Sequence, residues 1–498
     1  MKTKYSLLIL FLFSSSLFCQ PQIQSLLRQG MNQAYNLELT AAEKTFDKII
    51  VLRPHSPLGY YSIAKIHFWK FLGSKKQNEY NDFIKFANQA QERIDTTLRK
   101  NEKDIQTMYI AGNLALFRAM AQATNNSSVD AFWSSKKAVG YFNDVLDLNP
   151  KFYDAYLGLG LFDYAMSFVP DFLKWAVNLT GLTSDKERGF RYIKLAYRKG
   201  TEDKTEAAFH LSKIYSDYLA DYDSAFTLIK PLMERYPNNI LFNYQYAVTL
   251  IKDKQLDKAL IVLNKIIGAK NKNLPQTTAL AIFRKGQIYF RTNQFKAAIK
   301  QYTMFIDTTK ELDYKGIAAM NTALSYKFLG DDADFKKFLS LAKNGNQDIF
   351  DDSYAKQKSE KYLNGGISNT ELKLVKLKNF LDAGKDKIVY DSLKLAFDKI
   401  ANPIDKEVAY AYFAEAAVNL KKFPEAEYAA DQISTMKITG DKWVIPTAYL
   451  VKARIKYWKS DRVKAKEFLK VAEENNNYEF KDNIQAQIEW LKRRLIKK

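Results

Sequence analysis

The sequence predicts an all-α chain of stacked helix pairs, a right-handed α-solenoid of helix-turn-helix repeats, and three observations carry that expectation. Glycine and proline number 19 and 11 of 498 residues, about half the usual share, which favours long helices joined by short turns. Small and aromatic residues recur at fixed offsets along the chain, the mark of a repeat. The length exceeds what one compact core holds, and an array of repeats removes that limit because each repeat packs only on its neighbours.

The clearest repeat runs from Ala279 to Asp307. Gly286 and Tyr289 lie on its first helix, Phe295 marks the turn, and Ala298, Tyr302 and Phe305 form the apolar face of the second. Small residues such as Gly286 and Ala298 belong where two helices nearly touch, and the aromatics fill the gap to the next pair, which is the tetratricopeptide pattern. Gly30, Ala42, Phe46 and Pro54 take the corresponding places in a first repeat, with Pro54 ending its second helix. Ala138, Phe142 and Pro150 form a half-repeat that leads into Tyr156, Leu159 and Gly160. Phe209, Ala225 and Pro237 follow, then Ala247, Ala259 and Leu263; Ala225 to Ala259 is 259 − 225 = 34 residues, the tetratricopeptide period.

Past Gly330 the pattern loosens, with a break at Asn364, Gly365 and Gly366. It returns with Ala414 and Ala426, then Ala453, Ala465 and Ala472. A last amphipathic helix over 481–498 presents Ile484, Ile488, Leu491 and Leu495 on one face, as the cap that a solenoid needs over its final apolar surface. The expected organisation is a signal segment over 1–19, an N-terminal solenoid over 20–345 carrying an apolar insertion at 165–183, and C-terminal helical repeats over 346–498.

The signal segment has Lys2 and Lys4, then an apolar run from Leu7 to Phe13 and a serine-rich stretch, the layout of a secretory signal. The expectation is an exported chain of the periplasm or cell envelope. Lipoprotein anchoring at Cys19, the one cysteine, is the lesser alternative, because Phe18 stands where lipoprotein processing requires a small residue. The formal charge of +21 falls to +19 without Lys2 and Lys4. An acidic protein or peptide partner fits this charge, with peripheral membrane contact as a further option. Lysines interleaved with acids rather than gathered in an arm argue against nucleic acid.

Between Phe162 and Gly189 the chain departs from a plain repeat. Pro170 interrupts a strongly apolar stretch containing Phe168, Phe172 and Trp175, Gly181 reads as a stop, and Asp185 as the cap of the next helix, where Gly189 replaces the usual alanine. The succession GLGLFDYAMSFVPDFLKWAVNLTGL followed by DKERGFRYI resembles the tetratricopeptide-repeat-39 family, which includes the inclusion-body-clearance proteins, through Phe162, Ser167, Pro170, Gly181, Asp185, Glu187 and Gly189. The resemblance implies a repeat scaffold without known catalysis, associated with aggregate clearance and lipid-associated surfaces. The secretory signal sets this chain apart, so the resemblance extends to architecture and not to that cellular role.

Chemistry is sparse in the sequence. His55, His67 and His210 are the only histidines, and no cysteine remains once the signal is removed, so neither a thiol nucleophile nor a dense His/Cys metal cluster is expected. Gly158 and Gly160 form a G-x-G, but Asp163 occupies the third glycine position of a dinucleotide fingerprint. Asp331 with Asp332 and Asp351 with Asp352 read as solvated helix faces. The sequence therefore points to a non-catalytic scaffold of the bacterial cell envelope with no cofactor and no metal. The expected binding residues are Phe168, Phe172 and Trp175 of the insertion, and Asn243, Tyr244, Arg284 and Tyr326 on first helices, which line the inner groove of such repeats. A glycan- or lipid-surface-binding envelope protein is the alternative.

Overall fold

The computed structural model describes residues 21–166, 185–309, 311–478 and 482–496. The expected signal segment over 1–19, and all but the first two residues of the expected insertion over 165–183, with Phe168, Phe172 and Trp175 among them, lie outside the described residues. Among the described residues the fold is an all-α tetratricopeptide-type solenoid, built of helix pairs joined by tight turns.

The first pairs are α1 (21–35) with α2 (Leu39–Leu52), α3 (Pro57–Ser74) with α4 (Gln77–Lys100), and α5 (Ile105–Thr124) with α6 (Ser128–Leu148). Next come α7 (Ala155–Met166) and α8 (Lys186–Lys199), α9 (Lys204–Asp217) with α10 (Tyr222–Arg235), α11 (Ile240–Lys252) with α12 (Leu256–Gly268), and α13 (Pro275–Arg291) with α14 (Phe295–Thr308). The remainder comprises α15 (Lys315–Leu329) with α16 (Asp332–Ala342), α17 (Phe350–Gly365), α18 (Asn369–Asp382) with α19 (Asp386–Lys394), α20 (Pro403–Asn419) with α21 (Phe423–Thr435), α22 (Val444–Trp458) with α23 (Arg462–Glu474), and α24 (Asp482–Ile496).

Local chemistry starts and stops these helices where the sequence directs. Ser56 caps α3 by accepting from the Leu58 amide, with Pro57 preset at the first helical position. Asp185 caps α8 by accepting from the amides of Glu187 and Arg188 at 2.8 and 3.0 Å. Within pairs, the turn places one residue in the left-handed region: Ala220, Lys254, Asn293, Gly330, Gly384, Lys421 and Ser460 all have positive φ. Ala220 to Lys254 spans 254 − 220 = 34 residues, whereas Lys254 to Asn293 spans 293 − 254 = 39 and Asn293 to Gly330 spans 330 − 293 = 37. The longer later repeats explain why a 34-residue period fades in the C-terminal sequence.

Glycines sit where pairs approach. A Cβ on Gly286 would stand 2.8 Å from the Tyr302 ring, so α13 and α14 close only with glycine there. Gly160 and Gly189 bring α7 and α8 to backbone contact, each Cβ position falling 2.8 Å from the other residue's carbonyl oxygen. Arg188 clasps Asp163 beside this crossing through two bonds of 2.6 and 2.8 Å. At the C-terminal end, Ile484, Ile488, Leu491 and Leu495 of α24 bury against Leu450, Ala453, Ala465 and Leu469.

The chain divides into two compact units. The first holds Met1–Leu211, Leu228–Phe242 and Asn271–Pro275; the second holds Ser212–Thr227, Asn243–Lys270 and Gln276–Lys498. The expected division at 345/346 falls inside the second unit, in the turn between α16 and α17. No helix among the described residues is long and apolar enough to cross a membrane.

Candidate binding surface on the first helices

First helices carry the expected binding residues, and the two units treat those helices differently. In the first unit, α3 reads PLGYYSIAKIHFWKFLGS, apolar almost all round, and is buried along nearly its whole length. Later parts of the same unit cover it and its neighbours. Lys65 of α3 pairs with Glu206 at 2.6 Å, and Tyr109 of α5 donates to Asp203. Asp154 anchors the segment before α9 by accepting from the amides of Thr201, Glu202 and Asp203, each at 3.0 Å. Toward the N-terminus, Tyr236 donates to Asn32 at 3.1 Å, Asn239 donates to the Tyr35 carbonyl at 2.7 Å, and the Tyr35 ring lies 5.1 Å from that of Tyr236.

This interior is strongly charged for its depth. Burial, reinforced by the neighbouring Glu206 carboxylate, pushes Asp203 up to about 7, while the Lys65 ammonium and the Tyr109 hydroxyl work against that rise. Glu206 moves the other way: burial opposes its ionisation, but Lys65 holds it below the ordinary carboxylate range. The arrangement closes the inner face of the unit with its own side chains.

His67 is also absorbed into packing. Its Nδ1 lies 3.0 Å from Glu79 Oε2, its Nε2 lies 3.9 Å from Glu43, and its ring stacks on Phe86. With Glu79 and Asp82 it forms a group of metal-ligand types whose atoms lie within 4.8 Å of one another. Glu79 and Asp82 both belong to α4, and the contact between His67 and Glu79 joins them to α3, so the set reads as a tie between α3 and α4.

In the second unit, first-helix side chains stay within reach of solvent. Lys213 in the last turns of α9 and Lys252 at the end of α11 both pair with Asp217, at 2.7 and 2.8 Å, and keep 49% and 35% of their side chains exposed. Burial works to raise the Asp217 carboxyl, but the two ammonium groups hold it down at about 2. Burial lowers Lys252, Asp217 restores part of the loss, and the Arg284 guanidinium lowers it further.

Arg284 of α13 donates to the Tyr244 hydroxyl at 3.3 Å and to Gln287 at 3.1 Å. Its guanidinium lies 5.1 Å from the Phe283 ring centroid and 5.3 Å from that of Tyr314, within cation–π range. Among the described residues no carboxylate pairs with it.

The structure thus brings Tyr244 and Arg284 together and separates the other two expected residues from them. Asn243 is 2% exposed; α11 is packed on nearly all sides, so this position faces core and not groove. Tyr326 stacks on Phe338 of its own pair at 5.5 Å, a ring contact within α15 and α16. Lys213, Lys252 and Tyr314 join the site without having been singled out by sequence. Nothing in their spacing distinguishes these two lysines among 76 basic residues; only the stacking of three first helices does.

Residues 153–312 match the family described as Iml2/Tetratricopeptide repeat protein 39. No curated protein matches the sequence. Among solved structures, the apo form of the quorum sensor NprR from B. thuringiensis is 13% identical, over 83% of this chain and 98% of that one, with a TM-score of 0.31. The P58(IPK) TPR domain is 12% identical, over 96% and 100% of the two chains, with a TM-score of 0.21. The Cut9–Hcn1 assembly of APC/C is 12% identical, over 92% and 95%, with a TM-score of 0.31.

Proposed function

From the premise that the chain is a tetratricopeptide-repeat protein, of the Iml2 and tetratricopeptide-repeat-39 type over residues 153–312, we propose that it is a non-catalytic scaffold that holds a protein or peptide partner. One observation carries the reading: the second unit keeps a basic, tyrosine-walled surface on successive first helices, where Lys213, Lys252, Tyr244 and Arg284 remain within reach of solvent. Such a surface recognises an extended or helical segment through side chains, and does so without a reacting group.

The same reading places the protein in the bacterial cell envelope, supported by the sequence of its first 19 residues, and makes the partner acidic, supported by its formal charge of +21. Affinity capture of the tagged mature chain from its native envelope fraction, at physiological and at high salt, tests it. The expected result is a discrete protein retained in stoichiometric amount. Recovery of lipid or polysaccharide alone would replace the scaffold with a surface-association role. Cell fractionation with mass spectrometry of the mature N-terminus tests location, and a cytosolic chain beginning at Met1 would refute export.

A further inference from the structure

The tie between α3 and α4 has the composition of a metal centre. A ring nitrogen of His67 from α3 and carboxylate oxygens of Glu79 and Asp82 from α4 lie within 4.8 Å of one another. Glu79 and Asp82 stand three residues apart and so share one face of their helix. His67 Nδ1 and Glu79 Oε2 are 3.0 Å apart, and two ligand atoms about 2.1 Å from one zinc ion stand about 3.0–3.4 Å apart. An ion can therefore replace the proton of this contact with the two helices left in place.

Two further observations point to a cation. Nε2, the other ring nitrogen of His67, faces Glu43 of α2 at 3.9 Å, the position of the outer carboxylate that orients a ligating imidazole. His67 is 8% exposed and its ring stacks on Phe86, 5.5 Å away, so its direction is set before an ion arrives. The charges are also unbalanced. Lys70 bonds Glu43, but among the described residues no lysine or arginine pairs with Glu79 or Asp82, and the Asp82 carboxylate makes no hydrogen bond. Three carboxylates against one ammonium leave two negative charges when His67 is the neutral imidazole that a metal requires.

An imidazole beside two carboxylates suits Zn2+ better than Ca2+ or Mg2+, which prefer oxygen alone. We propose that His67, Glu79 and Asp82 bind one Zn2+ ion, with Glu43 orienting His67 and water completing the coordination. The ion clasps α3 to α4, and the site is independent of the scaffold reading above.

Calorimetric titration of ZnCl2 into the untagged full mature chain, stripped with EDTA and dialysed, tests the site. The expected result is one ion per chain at micromolar or tighter affinity, with a thermal melt that rises on adding Zn2+ and falls back with EDTA. Asp82→Asn changes a half-buried side chain with no partner to lose. It should weaken Zn2+ by at least about tenfold, the scale on which even outer-shell groups act, and leave the metal-free melt unchanged. Glu43→Gln should weaken it by about tenfold, and His67→Gln should abolish both the binding heat and the visible absorption of a Co2+-loaded chain. No Zn2+ binding, several weak sites in place of one, or wild-type affinity in Asp82→Asn overturns the site. Ca2+ binding as tight as that of Zn2+ overturns its assignment to a transition-metal ion.

Discussion

Both units line first helices with tyrosines and charges, yet they put them to opposite use. In the first unit Lys65 meets Glu206, a residue 141 positions away, at 2.6 Å, and Tyr109 meets Asp203. In the second, Lys213 and Lys252 share Asp217, and Arg284 has neutral partners. The difference teaches that the first unit closes its first helices with its own counter-charges, whereas the second leaves Arg284 without a paired carboxylate, which is why the proposed scaffold surface is assigned to the second.

Breaking the filled face should have the largest effect. Lys65→Met leaves Glu206 and Asp203 buried without their cation, and loss of one member of a buried pair costs about 3–5 kcal/mol. Denaturant unfolding should show that loss, and a change below about 1 kcal/mol would mean that the pair is not what closes the first unit. Gly189→Val drives a side chain against the Gly160 carbonyl and should cost about 1–3 kcal/mol by overpacking. An unchanged unfolding midpoint would refute the close crossing of α7 and α8.

A smaller effect sharpens the comparison through pH. Burial raises Asp203 to about 7 in the folded chain, above the unfolded value of about 4. The stability tied to its protonated form is therefore complete below pH 4 and is lost as pH rises towards 7. The slope is at most about 1.4 kcal/mol per pH unit. Asp203→Asn keeps an acceptor for Tyr109 but does not titrate, so wild type should weaken relative to the variant between pH 4 and 7; parallel profiles would contradict the burial of this carboxyl. The smallest effect is expected in the second unit, where Arg284→Gln gives up the contacts with Phe283 and Tyr314 but also removes a half-buried charge that no carboxylate pairs, so unfolding should shift by no more than about 1 kcal/mol. A large loss there would show that Arg284 supports the fold instead of awaiting a partner.

The helix pairs were legible because their chemistry is local. Gly286, Ala298 and Tyr302 identify a pair from their spacing, and Asp185 announces α8 from the capping rule. The apolar face of 481–498 foretells α24 packed on α22 and α23. What the sequence concealed depends on distant partners. Periodicity shows that a helix has an apolar face without saying which segment will cover it, so the meeting of Tyr236 with Asn32, 204 residues apart, left no trace in spacing. One signal was there to be read: α3 is apolar almost all round, which marks a helix enclosed on every side. The sequence places Asn243 on the groove for the same reason, whereas the structure buries it in α11, which is also nearly enclosed.

Hydrogen exchange on the full chain, free and saturated with its captured partner, tests the contrast between the two units most directly. Slowed exchange in segments containing Lys213, Tyr244, Lys252, Arg284 and Tyr314, with 57–74 and 105–124 unchanged, is the predicted result. Protection confined to 57–74 and 105–124 would show that the first unit opens to receive the partner, and would contradict the assignment of binding to the second.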